Sequence, residues 1–241
     1  MPRNDGRAAD ELRPITLETG FIDYPEGSVL VSFGKTRVLC NLSIEAGLPA
    51  WLRHRQDPTG WITAEYALLP RSTHSRTARE TRGLKGRTQE IRRFIGRSLR
   101  AAVRLDQLGE RTCILDCDVL QADGGTRTAA VTGGYVALAL GLKTLMQDDI
   151  LPPTVLRGPV AAISIGLVRD QVLLDLSYEE DAAAEVDLNI VVDNTGSFIE
   201  IQGTAEGRPF PRETLDALLD IGLQGIGKIQ KLQERTLNLD H

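Results

Sequence analysis

The feature that most constrains the fold is a run of small residues in the middle of the chain, residues 121–135. It follows a strand-like run at residues 112–120 and leads into small apolar residues, ending near Met146, that are typical of a helix. Between the two, Gly124 and Gly125 allow the backbone to turn sharply and to approach a ligand closely. The sequence therefore predicts a strand–turn–helix unit at the centre of the chain.

The start of the predicted helix has the composition of an anion-binding site. Thr126, Arg127 and Thr128 lie at or beside the first turn, where backbone N–H groups without intrahelical partners and the helix dipole attract anions. An arginine at this position can bind a phosphate-like group through two parallel hydrogen bonds. The same residues are compatible with an ordinary glycine turn capped by threonine, with Arg127 in solvent. The pattern alone leaves both interpretations open.

Length and cysteine content indicate a cytoplasmic protein. The 241 residues are enough for one large or two small domains with a buried core. No run approaches the roughly 18 apolar residues of a membrane span, and the polar N-terminus is unlike a secretory signal. Three cysteines cannot form an even disulfide framework, so we expect reduced thiols. The sequence contains no Cys/His spacing typical of a zinc site.

The charges are distributed unevenly along the chain. The net charge is −5, yet residues 71–104 contain eleven Lys or Arg residues and only two acidic residues. Residues 71–85 show no period and predict an exposed basic loop, whereas a helical period begins at Arg87. Its apolar face carries Ile91, Ile95, Leu99 and Ala102, and its opposite face carries Arg93, Arg97, Arg100 and Arg104. This block indicates a polyanionic partner, although a solvated charged helix has the same pattern.

The remaining patterns predict an α+β fold in which strands outnumber helices. Strands are predicted from Ile15 and at residues 28–33, 36–44, 61–69, 160–168, 171–176, 186–192 and 197–202, with a last helix at 212–237. Pro152 and Pro153 interrupt the pattern, so we expect a single domain (residues 1–241) made of an N-terminal lobe, 14–150, and a C-terminal lobe, 155–237. Residues 1–13 are polar and predict a mobile or partner-docked arm.

An acidic segment, residues 178–187, follows the predicted strand at 171–176 and extends into the predicted strand at 186–192. Asp187 follows Val186 in a predicted strand and lies on the face opposite Val186 and Leu188, while Asp181 precedes it in a predicted loop. Carboxylates with few histidines suit an oxygen-binding ion such as Mg²⁺, which commonly uses one or two carboxylates plus substrate phosphates, and they also suit acid–base chemistry. An acidic surface loop has the same composition.

These separate features occur together in one known pattern, and the chain resembles ribonuclease PH from about residue 13 to residue 225. The motifs that carry the resemblance are LPRSTHSR at 69–76, GRTQEI at 86–91, IGRSLRA at 95–101, QADGGTRTA at 121–129, YEED at 178–181, VDLN at 186–189 and IQGTAEG at 201–207. Departures are small: Ser177 and Ala182 replace Asp and Ser beside the acidic motif, and Arg92 replaces Gln.

The resemblance implies a fold, an activity and an assembly. The fold is built from βαβα units like those of a ribosomal protein domain, with mixed sheets packed against helices. The activity is that of a phosphate-dependent 3′-to-5′ exoribonuclease, a nucleotidyltransferase that trims tRNA precursors and possibly rRNA. It uses inorganic phosphate as co-substrate, releases nucleoside diphosphates and is reversible. The assembly is a homo-hexamer, a ring of three dimers, in the cytoplasm and without membrane association.

The resemblance also assigns roles to individual residues. It implies phosphate binding by Arg87, Gly125, Thr126 and Arg127. Asp181 and Asp187 match the family's catalytic acids, which are associated with Mg²⁺ or Mn²⁺. Contacts with RNA are implied for the basic loop and the following helix, namely Arg71, Arg76, Arg79, Arg93 and Arg97. The alternative is a non-catalytic RNA-binding subunit of an exosome-like ring, although all the matched catalytic positions are present.

Overall fold

The α+β expectation is confirmed by a computed structural model that describes residues 3–53 and 59–239. Its strands are β1 Ile15–Thr19, β2 Gly27–Phe33, β3 Thr36–Ala46, β4 Trp61–Leu68, β5 Arg111–Gln121, β6 Ala161–Val168, β7 Gln171–Leu174, β8 Val186–Val192 and β9 Phe198–Ala205. Its helices are α1 Ala50–Arg53, α2 Gly86–Ala101, α3 Thr126–Gln147, α4 Tyr178–Ala182 and α5 Arg212–Leu239. Short 3₁₀ turns occur at Leu105–Gln107 and Pro153–Val155.

The strands form two sheets. The first has the order β1-β2-β3-β5-β4 and is antiparallel except for the parallel pair β4 and β5. A parallel pair needs a crossover connection, and α2 provides it. The second sheet has the order β7-β6-β8-β9 and is antiparallel throughout. The carboxyl end of β5, in the first sheet, therefore leads directly into α3.

Helix α3 lies between the two sheets, where it contacts β2, β3, β6 and the helices α2 and α5. Its small residues allow this position. A Cβ atom added at Gly133 would lie 2.5 Å from Cγ1 of Val31, and one at Gly134 would lie 3.3 Å from Cδ1 of Leu99. Both glycines therefore allow close packing of α3 against its neighbours. Helix α5 covers the second sheet through β6, β7 and β8.

Burial of α3 also changes one conclusion drawn from the sequence. An 18-residue stretch of this 22-residue helix has a mean hydropathy of 1.4, so the helix is long and apolar enough to cross a membrane by length and composition. The expectation that no run approaches a membrane span was therefore too strong. It counted apolar residues only, whereas glycine and threonine residues between them extend the stretch to the length of a span. In the fold, 72% of the residues in this stretch are buried, as in the core helix of a soluble protein.

Buried hydrophobic residues of both sheets form one continuous cluster, with Val31, Leu115 and Ile163 among its members. The first sheet comes from residues 15–121 and the second from residues 161–205. The division into lobes at 14–150 and 155–237 stays a prediction.

The N-terminal arm differs from its prediction. Residues 3–13 pack against the second sheet, where the amide of Leu174 donates to the carbonyl of Ala9 over 2.8 Å. The side chains of Arg3, Arg7 and Arg13 are buried there. Ion pairs of Arg3 with Glu180 and of Arg13 with Asp175 fix the arm in place. The polar composition of the arm gives no sign of these distant partners. Residues 1 and 2 of the predicted arm lie outside the described residues.

Candidate active site

The glycine turn, residues 123–125, joins β5 to α3 as the sequence predicts. Gly124 and Gly125 have φ values of 78° and 65°, in the left-handed region that favours glycine. A Cβ atom at Gly124 would lie 2.6 Å from the carbonyl oxygen of Leu176 and 2.9 Å from the amide nitrogen of Tyr178, where the acidic segment begins. Gly124 thus has a packing role beyond the turn geometry predicted for it. The turn and the acidic segment are in direct backbone contact.

Two side chains that the sequence did not single out hold the turn and the start of α3. Thr36, fully buried, donates from Oγ1 to the carbonyl of Gly124 over 2.7 Å and accepts from the amide of Asp123 over 2.9 Å. The Tyr66 hydroxyl forms a 2.8 Å hydrogen bond with Oγ1 of Thr126. Burial raises the pKa of Tyr66, so it remains a neutral phenol at physiological pH. These contacts fix the backbone of the turn and the start of α3.

Arg127 projects from the first turn of α3 into a polar network. Its Nη1 donates to Oε1 of Glu90 over 3.1 Å and to Oε1 of Gln202 over 2.9 Å. Nε2 of Gln202 donates to the same Glu90 oxygen over 3.0 Å, which closes the network. Both of these bonds leave from Nη1, so within the described residues the other guanidinium nitrogens remain available to an anion. The network therefore fixes the arginine through Nη1, with the guanidinium carbon 6.0 Å from the Phe94 ring centroid.

Asp181 lies in α4, where the sequence predicted a loop. This one-turn helix has a capping box: the Ser177 side chain accepts from the Glu180 backbone, and the Glu180 side chain accepts from the Ser177 amide over 2.8 Å. The loop prediction was wrong because five residues are too few to show a helical period, whereas a capping box stabilises a turn locally. Serine and aspartate are both favourable caps, so the departure at Ser177 preserves the helix start.

Asp181 and Asp187 come together across the turn from α4 to β8. Burial raises the pKa of Asp181, and Arg87 and Arg127 oppose that increase. For Asp187, burial and then the Asp181 charge raise the pKa to about 6, against the opposing effect of Arg127, Arg87 and Asn189. Both acids therefore lie within electrostatic range of both arginines. Two predicted phosphate-binding arginines and two predicted catalytic acids thus belong to one cluster of charges.

The acidic pair fits a divalent cation that is also bound by substrate. Oδ1 of Asp187 is buried and has no hydrogen-bond partner among the described residues, so it is available as a ligand. Within residues 3–53 and 59–239 no group of three His, Cys, Asp or Glu side chains could hold a metal ion. Mg²⁺ commonly takes one or two carboxylates and completes its shell with phosphate oxygens and water. The donor set therefore suits Mg²⁺ or Mn²⁺ together with a phosphate-bearing substrate.

The predicted RNA contacts divide into two groups. Arg71, Arg76 and Arg79 are exposed on the loop between β4 and α2, and residues of this loop, together with Tyr66 and Arg87, line a cavity of about 550 Å³. On α2, Arg93 is exposed and Arg97 forms a 3.2 Å ion pair with Glu200 of β9.

Arg100, which was predicted on the same face of α2 as Arg93 and Arg97, has a structural role. The Arg100 guanidinium lies 4.4 Å from the ring centroid of Trp61 and donates to the carbonyl of Ile62 over 2.9 Å. The predicted arginine face of α2 is therefore not continuous, because the Arg100 guanidinium is occupied by contacts with β4.

Family models match both parts of the chain. The model described as 3′ exoribonuclease family, domain 1, matches residues 11–141, and domain 2 of the same family matches residues 158–225. Among curated relatives, ribonuclease PH of Rhodococcus erythropolis is 54% identical over 98% of this chain and 90% of that protein. Ribonuclease PH of Moorella thermoacetica is 53% identical over 98% of this chain and 95% of that protein.

Solved structures with the same fold come from more distant proteins. Rice (Oryza sativa) Rrp46 matches 98% of this chain and 100% of its own, with a TM-score of 0.81 and 20% identity. The Archaeoglobus fulgidus exosome with RNA bound to the active site matches 95% of this chain and 91% of that chain, with a TM-score of 0.77 and 24% identity. At these identities the likeness concerns the fold.

Proposed function

The chain belongs to the ribonuclease PH branch of the 3′ exoribonuclease family, and from this premise we propose that it shortens RNA from the 3′ end by phosphorolysis. An oxygen of inorganic phosphate attacks the last phosphodiester, the bond from phosphorus to the 3′ oxygen breaks, and a nucleoside diphosphate leaves. The 3′ oxygen takes up a proton and becomes the new RNA end. The natural substrates in this proposal are tRNA precursors.

The observation that carries the proposal is the contact of the glycine turn with the backbone at Leu176, just before α4, which carries Asp181 and leads to Asp187. Phosphorolysis must bring two anions together, the attacking phosphate and the scissile diester, so both need neutralisation and alignment. On one side, we assign the attacking phosphate to the backbone of Gly125 and Thr126, with Arg127 from α3 and Arg87 from α2. On the other side are Asp181 and Asp187, whose charges the same arginines partly offset.

We assign the acidic pair to a divalent cation, Mg²⁺ or Mn²⁺. When bound, such an ion offsets the negative charge that develops on the transferred phosphoryl group and the leaving oxygen. Asp187 contributes Oδ1, which has no hydrogen-bond partner among the described residues, and Asp181 lies in α4, just before β8. Thr36 and Tyr66 keep the turn rigid, so that the amides are already oriented when phosphate arrives.

The test is incubation of a tRNA precursor labelled in its 3′-terminal nucleotides, with and without inorganic phosphate. We expect labelled nucleoside diphosphates only when phosphate is present. Monophosphates formed without phosphate would identify a hydrolase. Binding of the RNA without any product would favour the alternative, a non-catalytic ring subunit.

The exposed arginines of the basic loop are proposed to guide single-stranded 3′ ends through phosphate contacts, with Arg93 and Arg97 continuing the path along α2. We expect simultaneous replacement of Arg71, Arg76 and Arg79 by glutamine to weaken RNA binding and to reduce its salt dependence. The slope of log affinity against log salt should fall by about 2, at roughly 0.7 for each single-strand phosphate that an arginine no longer neutralises. The measurement is RNA affinity by fluorescence anisotropy from low to high salt.

The matched control for this experiment removes the same charge elsewhere. Arg208, Arg212 and Arg235 are exposed near or on α5, and their replacement by glutamine changes the net charge by the same three units. The control should keep the wild-type slope. An unchanged slope in the loop variant would assign its three arginines to solvent.

We further propose that the chain assembles as a homo-hexamer, a trimer of dimers, and acts in the cytoplasm. The proposal rests on membership of the family and on the uneven charge distribution, since a ring would combine the basic loops of several subunits. Sedimentation at micromolar concentration tests it: a mass of six chains is expected, and a persistent monomer would exclude the ring.

A further inference from the structure

The N-terminal arm places three arginines beside the acidic segment. The exposed fractions of Arg3, Arg7 and Arg13 are only 7%, 9% and 4%. A buried guanidinium is costly unless it is paired and hydrogen-bonded, so each needs a partner inside the protein. The partners are Asp175 and Glu180, together with backbone carbonyls around them, and Arg7 also bonds Asp5 over 2.7 Å. None of these residues belongs to the phosphate or acid positions assigned above.

Arg13 and Asp175 form the most completely bonded of these pairs. The Arg13 amide and Nε donate to Oδ2 of Asp175 over 2.8 and 3.0 Å, and Nη2 donates to Oδ1 over 2.6 Å. Asp175 is fully buried and has a φ of 55°, a left-handed backbone that non-glycine residues seldom adopt. Its side chain and backbone are therefore held in place by their surroundings, with Arg13 as the main partner.

The same guanidinium also reaches the glycine turn. Nη1 of Arg13 donates to the carbonyl of Asp123 over 2.6 Å, and Nη2 lies 3.0 Å from the position of a Cβ on Gly125. One side chain thus bonds both the turn that carries the phosphate-binding amides and the residue that follows β7. Asp175 is separated from the start of α4 only by Leu176 and Ser177.

Arg3 holds α4 through Glu180, whose side chain also accepts from the Ser177 amide at the start of the helix. Its Nε and Nη2 donate to the two oxygens of Glu180 over 2.7 Å each, and its Nη1 donates to the carbonyl of Leu174 over 2.8 Å. Burial raises the pKa of Glu180, but the hydrogen bonds from Arg3 and the Ser177 amide outweigh it and leave the pKa below its ordinary value. Glu180 is therefore ionised and bonded immediately before Asp181.

We propose that Arg13 is a positioning residue for the reaction: through Asp175 and Asp123 it fixes the distance between the phosphate-binding turn and the helix that carries Asp181. The inference rests on the proposed function, because it concerns the alignment of the attacking phosphate with the acidic pair. Arg3 supports the same alignment through Glu180. The arm is then part of the catalytic framework although it touches neither substrate.

The planar fork of arginine explains why this residue type is required. Nη1 bonds the turn while Nε and Nη2 bond the carboxylate, and one rigid group sets both separations. A lysine keeps the positive charge next to Asp175 but presents a single ammonium on a flexible stem. Arg13→Lys should therefore preserve charge neutralisation and lose the fixed geometry. Misplacement by about 1 Å can reduce a rate by about 100-fold.

The test compares Arg13→Lys with Arg212→Lys, the same substitution in an exposed ion pair with Asp216. We expect Arg13→Lys to raise the KM for phosphate about tenfold and to lower kcat about tenfold or more, without changing RNA affinity. The control should match the wild type in all three quantities. A fall in melting temperature with unchanged KM and kcat, measured where both proteins are folded, would reduce Arg13 to a structural role.

Two measurements keep this inference separate from the proposed function and from folding defects. Calorimetric phosphate affinity needs no turnover, so a tenfold weaker affinity in Arg13→Lys supports positioning even if the wild type does not cleave RNA. On the wild type itself, phosphate should slow hydrogen exchange of the Arg13 amide, which is bonded to Asp175, because coupling between sites is reciprocal. Unchanged exchange with saturating phosphate would overturn the inference.

Discussion

Asp187→Asn is expected to lower kcat at least about 100-fold while RNA binding stays within about twofold of the wild type, since loss of one preorganised electrostatic group costs about 10²–10³. Asparagine has nearly the same shape, so the change removes charge and leaves packing. Asp187 lies on β8, in the middle of the second sheet, and its Oδ1 is buried without a partner among the described residues. A neutral amide there cannot bind a cation as a carboxylate does.

The measurement is single-turnover phosphorolysis of a labelled RNA at saturating phosphate, together with RNA affinity in the absence of phosphate. Asp216→Asn is the matched control, because Asp216 is an exposed acid on α5. It should retain wild-type turnover. Full activity of Asp187→Asn with Mg²⁺ present would remove Asp187 from the mechanism. Loss of RNA affinity equal to the loss of turnover would instead make it a substrate-binding residue.

The glycine turn shows how much of the site can be predicted from the sequence. Two adjacent glycines before a helix identify a backbone turn, and the following Thr126 and Arg127 suggest an anion site without excluding an ordinary capped turn. Sequence patterns predicted the individual strands because alternation and turn residues are local signals. Helix α3 was recognised by its small residues, and its burial on all sides follows from its place between the sheets.

The supporting contacts of the site could not be predicted in the same way. Arg13 and Asp175 are 162 residues apart, and Gln202 and Glu90 are 112 residues apart. Pairs at such separations leave no periodic signal, since the fold alone brings them together. The IQGTAEG motif marked Gln202 as part of the family pattern, but its role as a partner of Arg127 depends on how β9 lies beside α2.

The basic helix was partly misread for a similar reason. Four arginines at helical spacing suggest one continuous cationic face, yet Arg100 stacks on Trp61 and Arg97 pairs with Glu200. Spacing predicts the face of a helix on which a residue lies, whereas the partner on that face depends on the neighbouring strand. Among the described residues, the loop arginines Arg71, Arg76 and Arg79 form no such ion pair or ring contact. They remain better candidates for RNA contact.

Replacement of Arg127 by lysine is expected to raise the KM for phosphate at least about tenfold, because a single ammonium replaces a planar fork that can make two parallel bonds. Glu90 and Gln202 hold Nη1 of Arg127, and in the proposed site the rest of the guanidinium binds the phosphate. RNA affinity should change little. Arg212→Lys on the exposed surface is the matched control and should leave the KM unchanged.

The same experiment in Arg87 establishes whether the two arginines share one ligand. Both lower the pKa of Asp181 and Asp187, so they lie beside the same acidic pair. If they hold one phosphate, the effects of Arg87→Lys and Arg127→Lys on KM should be non-additive in the double variant, because residues with a shared partner couple. A wild-type KM in either single variant would exclude that arginine. Strict additivity would place the two arginines on different anions, the attacking phosphate and the scissile diester.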